Sequence, residues 1–245
     1  MANPPFGRLI TAMVTPFSDD GSLDLDEARR LAAYLVDEQG NDSLVINGTT
    51  GESPTTDDDE KSELLKAVVN EVGDRAKIIA GVGTNETAAT IKRCRDALEA
   101  GCDGLLVVTP YYSKPPADAL LEHFLLVADA TDLPVMLYDI PGRSAIPIPE
   151  DTLIELARHP RIVAVKDAKG DLVSSAKVMS VTDLAYYSGD DALTLPLMAV
   201  GGVGVVGTST HFSGAATKEW MDLLADGAHE DALEIYRRLL PVYTG

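Results

Sequence analysis

The sequence predicts an α/β chain closed into a (β/α)8 TIM barrel, and three observations carry that expectation. Short β-rich runs alternate with longer stretches whose apolar residues recur three and four apart. The alternation repeats eight times within 245 residues. No Pro/Gly/Ser linker or change of composition divides the chain, so the repeats read as one domain. A doubly wound open sheet is the alternative that the same alternation permits.

The β-rich runs are 9–17, 43–47, 77–83, 104–110, 134–141, 162–166, 184–189 and 204–208. The first helical stretch carries an apolar stripe of Leu25, Ala28, Leu31, Ala32 and Leu35. Asp24 with Glu27 resembles a capping box at its start, and Gly40 stops it. The second runs from about Asp57, with Leu64, Leu65, Val68, Val69 and Val72 inward, and ends at Gly73. Its acidic run 57–60 reads as a solvated helix start favoured by the helix dipole, not as a metal cluster. A third stretch follows Thr84 and ends at Gly101. Segments 117–130, 149–158, 171–181, 191–200 and 213–226 repeat the pattern less cleanly, and a ninth, 229–240, lies beyond the last unit.

Composition excludes several classes of function. The net charge is −19, from 39 acidic and 20 basic residues, a field that repels nucleic acid and anionic membrane surfaces. The plain reading is a soluble acidic cytoplasmic protein. The sharper one is adaptation to high salt, because Asp outnumbers Glu and Lys is scarce. No apolar run approaches the roughly 20 residues of a membrane span, and residues 1–8 lack the pattern of a secretory signal. Cys94 and Cys102 offer neither a disulfide framework nor a metal motif and read as small packing residues in a reducing compartment. His123, His159, His211 and His229 are scattered without ligand spacing, so no metal is expected. There is no Walker A run, Gly81-Val-Gly83 lacks the rest of a dinucleotide fingerprint, and the glycine-rich 201–207 is not followed by Lys-Ser/Thr.

In a barrel, chemistry gathers at the C-terminal ends of the strands. Lys166 ends the run Ile-Val-Ala-Val, so its strand delivers an amine to an apolar rim, where desolvation would lower its pKa and expose a nucleophile. The alternative is a lysine reaching into solvent. The other lysines fall where solvated roles are the default. Tyr138 ends the preceding strand and suits a proton relay, or else an aromatic core residue with a satisfied hydroxyl. Arg143, in a Pro-Gly turn, suits a bidentate carboxylate contact or a surface position. Gly48-Thr49-Thr50-Gly51 offers backbone donors and two hydroxyls to a small anion, or is a Thr-capped turn. Tyr111 and Tyr112 face either the site or a subunit contact.

Seven stretches, in order over nearly the whole chain, carry a resemblance. They are Ala12-Met-Val-Thr-Pro-Phe17, Gly48-Thr-Thr-Gly-Glu-Ser53, Ala80-Gly-Val-Gly-Thr-Asn85, Val108-Thr-Pro-Tyr-Tyr112, Leu137-Tyr-Asp-Ile-Pro-Gly-Arg143, Val165-Lys166 and Ser188-Gly-Asp-Asp191. Together they resemble the dihydrodipicolinate synthase branch of the pyruvate-dependent class I aldolases, a family that also holds N-acetylneuraminate lyase. The resemblance implies a lyase of the lysine and diaminopimelate route that condenses pyruvate with aspartate semialdehyde. It implies that Lys166 forms the imine with pyruvate, so that no cofactor or metal is needed. Tyr138 then resembles the proton relay, linked through Thr49 to Tyr112, which in the family reaches in from a neighbouring subunit. Thr50 matches the pyruvate carboxylate cradle and Arg143 the arginine that orients the semialdehyde carboxylate. Gly189 and Val206 match positions whose backbone lines the pocket.

The resemblance further implies a cytoplasmic homotetramer or homodimer. Arg143 favours the synthase over a sugar-acid lyase, which generally lacks an arginine in this turn. Another pyruvate-dependent aldolase and an inactive barrel serving as a binding subunit remain the alternatives. Asp139 stands where many relatives carry Asn, a minor variation. At the positions matching the family's lysine-feedback cleft the chain has Asp58, Lys61 and Ala89, although Ser53, Asn85 and Tyr111 are retained. Weak or absent lysine feedback is therefore expected. Relatives usually continue further, so 1–227 is expected to be the catalytic barrel and 228–245 the start of a truncated C-terminal helical extension.

Overall fold

The computed structural model describes residues 3–244. Eight strands, β1 (Leu9–Ala12), β2 (Ser43–Ile46), β3 (Lys77–Gly81), β4 (Gly104–Val108), β5 (Val135–Asp139), β6 (Ile162–Asp167), β7 (Ala185–Ser188) and β8 (Gly204–Gly207), form a closed barrel. All neighbours pair in parallel, and β8 returns to β1 with Val205 opposite Leu9 and Gly207 opposite Thr11. An open doubly wound sheet would leave β1 and β8 apart, so closure removes that alternative. Several strands end before the apolar runs do. Pro16, Pro110 and Pro141 have no N–H for a ladder, and the residues around them bend into the rim loops. In the opposite sense, β6 extends one residue past the expected end, to Asp167.

The helices are α1 (Leu25–Asp37), α2 (Asp58–Val72), α3 (Thr87–Glu99), α4 (Ala117–Ala128), α5 (Pro141–Ser144), α6 (Glu150–Leu156), α7 (Leu172–Val181), α8 (Thr194–Ala199), α9 (Thr210–Ala225) and α10 (His229–Thr244). The start of α1 is only half of the expected capping box. The Asp24 carboxylate accepts the Glu27 N–H at 2.9 Å, but the Asp24 N–H donates to the Pro16 carbonyl at 3.0 Å. The complete box lies at α2, where Asp57 and Glu60 exchange two bonds of 2.8 Å.

Strand alternation sorts the apolar residues into two concentric layers. Ile10, Val45, Ile79, Leu106, Met136, Tyr138, Ala164, Tyr187 and Val206 fill the barrel, with Phe6 in the same cluster. Leu44, Ile46, Ile78, Val107, Leu137, Val165 and Tyr186 face the helices. Burial pushes the thiols of Cys94 and Cys102 up to about 12, in keeping with packing roles. On the far wall α10 packs against α9, and Ala232, Ile235 and Tyr236 share a cluster with Trp220, Leu9 and Val205. Trp220 is fully buried and its indole N–H donates to the Tyr243 hydroxyl at 3.2 Å. Three side chains that face the barrel interior, Tyr138, Lys166 and Tyr187, stand side by side in register across β5, β6 and β7.

Candidate active site

Lys166 sits where alternation along β6 puts it, inward after the outward Val165. Its side chain is 5% exposed. Burial lowers its pKa to about 8, with Asp191 opposing and Arg143 adding to the shift. The nitrogen lies 4.3 Å from the centroid of the Tyr138 ring. The absence of a side chain at Gly189 leaves room for this lysine: a Cβ there would stand 3.1 Å from Lys166 Cε and 2.9 Å from Ala168 Cβ.

Tyr138 is buried beside the amine, and burial raises its phenol above the ordinary tyrosine range. The Arg143 guanidinium and the Thr49 hydroxyl both act against that rise. The strand end is fixed from β4, where the Thr109 N–H and hydroxyl both donate to the Tyr138 carbonyl, at 3.1 and 3.2 Å. Arg143 is carried on the single turn α5, and Ala145 closes that turn in the left-handed conformation with φ 70°.

The turn after β2 is held by its own backbone. Gly51 and Ser53 donate to the Gly48 carbonyl at 3.1 and 3.3 Å, Glu52 donates to Thr49, and the Thr15 hydroxyl donates to the Gly51 carbonyl at 2.6 Å. Of the expected anion cradle, the N–H groups of Gly48, Thr49 and Thr50 are therefore the ones without a backbone acceptor. Gly81 explains the glycine pair of the third unit: a Cβ there would lie 2.4 Å from the Asn47 carbonyl oxygen. It serves close packing of two rim loops, not nucleotide binding.

A cavity of about 720 Å³ opens at this rim, lined by Thr49, Tyr112, Tyr138 and Arg143 among others. Four of the eight expected site residues thus share one wall. Lys166 lies against the Tyr138 ring, with Gly189 beside it. Thr50 is next to Thr49 in the turn but off that wall, and Val206 packs within the barrel opposite Ile10. Tyr112 is 87% exposed and has φ 71°. Asn47, Glu52, Tyr112, Lys114 and Ala145, the non-glycine residues with positive φ among those described, all lie in rim loops.

Some contributors were not visible as such in the sequence. Thr15 and Thr109 look like ordinary strand-end hydroxyls until their backbone partners are known. Lys61, grouped with the solvated lysines, is only 4% exposed. Its ammonium donates to the Thr56 carbonyl and, at 2.7 Å, to the Thr56 hydroxyl, so a polar pocket beside α2 replaces solvent. Lys169, another lysine for which solvation is the default, is also largely buried, its ammonium 3.4 Å from the Asp139 carboxylate. Among the described residues no three His, Cys, Asp or Glu side chains converge into a metal-holding group.

The model of the Dihydrodipicolinate synthetase family matches residues 5–245. The chain belongs to this family. It is 63% identical over its whole length to the 4-hydroxy-tetrahydrodipicolinate synthase of Cutibacterium acnes, covering 84% of that protein. The crystal structure of a dihydrodipicolinate synthase from Bacillus anthracis superposes with a TM-score of 0.95 at 41% identity, over 100% of this chain and 83% of that one. The enzyme of Cyanidioschyzon merolae, solved with lysine bound, gives 0.94 at 43% identity over 97% and 82% of the two chains.

Proposed function

We propose that the chain is a 4-hydroxy-tetrahydrodipicolinate synthase, a lyase that joins pyruvate to L-aspartate 4-semialdehyde through an imine on Lys166. The observation that carries the residue assignment is the buried amine of Lys166, lowered to about 8 and held 4.3 Å from the Tyr138 ring. A lysine of that pKa supplies neutral amine near neutral pH, which attacks the keto carbon of pyruvate. Loss of water gives the protonated imine, and loss of a methyl proton gives the enamine, with the imine nitrogen taking the electron pair. The enamine carbon then bonds to the aldehyde carbon, whose oxygen takes up a proton. The semialdehyde's own amine displaces Lys166 in the ring closure that frees the product.

Tyr138 is assigned the proton transfers, with Thr49 and Tyr112 completing its relay. Thr50 and the turn's remaining donors are assigned the pyruvate carboxylate, with Gly189 and Val206 behind the bound substrate. Arg143, on the cavity wall, is assigned the semialdehyde carboxylate. The protonated imine is itself the electron sink, so the reading calls for no cofactor. The exposed, backbone-strained Tyr112 supports a homo-oligomer, dimer or tetramer, in which this phenol enters a second copy's cavity. A cytoplasmic location fits the acidic surface, and no helix among the described residues is long and apolar enough to cross a membrane.

Feedback by lysine is proposed to be weak, since Lys61 brings a cation to the cleft at which relatives would bind another. Submillimolar half-inhibition would contradict that. The function itself is tested by supplying pyruvate with aspartate semialdehyde. Loss of both in equal amounts is expected. Consumption of pyruvate with a sugar aldehyde but not with the semialdehyde would overturn the substrate assignment.

A further inference from the structure

Asp139 and Lys169 take no part in the steps above, yet Asp139 is buried and Lys169 largely so, immediately behind them. β5 and β6 turn Tyr138 and Lys166 inward side by side, so the next residue of each, Asp139 and Asp167, points to the outer wall. Asp139 is 1% exposed. Its Oδ1 accepts the N–H of Ile148 at 3.1 Å, at the far end of the 140–148 loop that carries Arg143. Its Oδ2 lies 3.4 Å from the ammonium of Lys169, three residues beyond Lys166. Asp167 shapes that second loop, accepting the N–H groups of Lys169 and Gly170 at 2.8 and 3.3 Å and the Ser175 hydroxyl. One ion pair therefore joins the loop bearing Arg143 to the loop leaving Lys166.

A buried ion pair is poor evidence of stabilisation, because desolvation offsets its attraction, and its best-attested use is to fix one arrangement among several. The groups facing Asp139 agree with that cost. They are Lys169 and Asp167 from β6 and its loop, with the unpartnered Tyr186 hydroxyl of β7 close by; Glu150 of α6, 3.6 Å from Lys177 of α7, bears on that hydroxyl and not on Asp139. Burial, with Asp167 adding to it, raises Asp139 to about 6 against the pull of Lys169.

We propose that the Asp139–Lys169 pair is a positioning device that sets the spacing between the Arg143 guanidinium and the Lys166 amine, and with it the capture of the second substrate. The proposal rests on the function assigned above. Its test is steady-state kinetics of the whole protein with Asp139→Asn, Lys169→Met and the double variant. Each single variant raises KM for aspartate semialdehyde about tenfold, as small misplacements of a substrate-binding group do, while kcat and KM for pyruvate stay within about twofold. The double variant is no worse than the worse single one, the signature of residues acting as a unit. In the unsubstituted protein KM for the semialdehyde rises as pH falls through about 6, where Asp139 takes a proton, and Asp139→Asn removes that dependence.

An unchanged KM for the semialdehyde in both single variants would overturn the proposal. So would a parallel loss in kcat and both KM values, or single effects that multiply in the double variant. Trapping pyruvate on Lys166 with borohydride in each variant separates the two levels: adduct in normal yield tests positioning alone, whereas no adduct in the unsubstituted protein defeats the assigned function instead.

Discussion

The floor and the rim of this barrel are built from the same strands and treat their polar groups differently. At the floor the Tyr187 phenol is fully used, donating to the Gly7 carbonyl at 2.9 Å and accepting the Phe6 N–H at 3.3 Å. Asp42 there accepts the N–H groups of Arg8 and Leu9 at 2.7 and 3.0 Å and pairs with Lys218 at 2.9 Å. At the rim the inward phenol of Tyr138 faces an amine and a cavity, and the left-handed non-glycine residues among those described gather in its loops. One end of the strands ties its inward polar groups into the fold, and the other leaves an inward phenol and amine facing a cavity.

The contrast is sharpest between the two phenols. Tyr138→Phe is expected to lower kcat by about 10²–10⁴-fold, the range of a lost general acid–base group, with little change in the denaturation midpoint. Normal turnover in that variant would break the distinction between the two ends. Asp42→Ala should do the reverse, costing about 2 kcal/mol in urea unfolding by stranding two backbone donors and a lysine, while folded molecules keep their kcat. Hydrogen bonds and Lys218 hold the Asp42 carboxyl below its ordinary range against the cost of burial. A depressed carboxylate contributes stability above its unfolded pKa and loses it as pH falls through its folded value. The Asp42→Ala difference should therefore shrink in acid.

A smaller effect is expected in pH dependence at the rim. The proposed imine chemistry requires Lys166 as the neutral amine, so the rate of pyruvate adduct formation should rise about tenfold per pH unit below its pKa and level off above about 8. A flat profile from pH 6 to 9 would remove desolvation as the activating influence. The smallest effect on activity belongs to Tyr187→Phe, which costs about 2 kcal/mol of stability for two lost hydrogen bonds and leaves kcat within about twofold.

Much of this division was legible in the sequence, and the exceptions have physical causes. The rim position of Lys166, Tyr138 and Arg143 follows from eight alternating units, because parallel pairing brings every strand's C-terminal end to one face. The β-rich runs overshoot the strands where apolar residues such as Val14 and Val82 continue into loops, since composition does not register where a ladder stops. The fate of Lys61 and Lys169 was not legible. A lysine is solvated by default, and only the fold brings Thr56 or Asp139 within reach of its ammonium. Asp139 had the same difficulty: as a letter beside Tyr138 it differs little from Asn, and its weight comes from Ile148 and Lys169 arriving from other segments.

Covalent bonding of Lys166 to pyruvate is read most directly from the mass of the protein and its peptides after incubation with pyruvate and borohydride. One three-carbon adduct per chain, on the peptide containing Lys166 and absent in Lys166→Ala, is the expected result. An adduct on any other lysine, or none on a protein that still consumes pyruvate and aspartate semialdehyde, would contradict it.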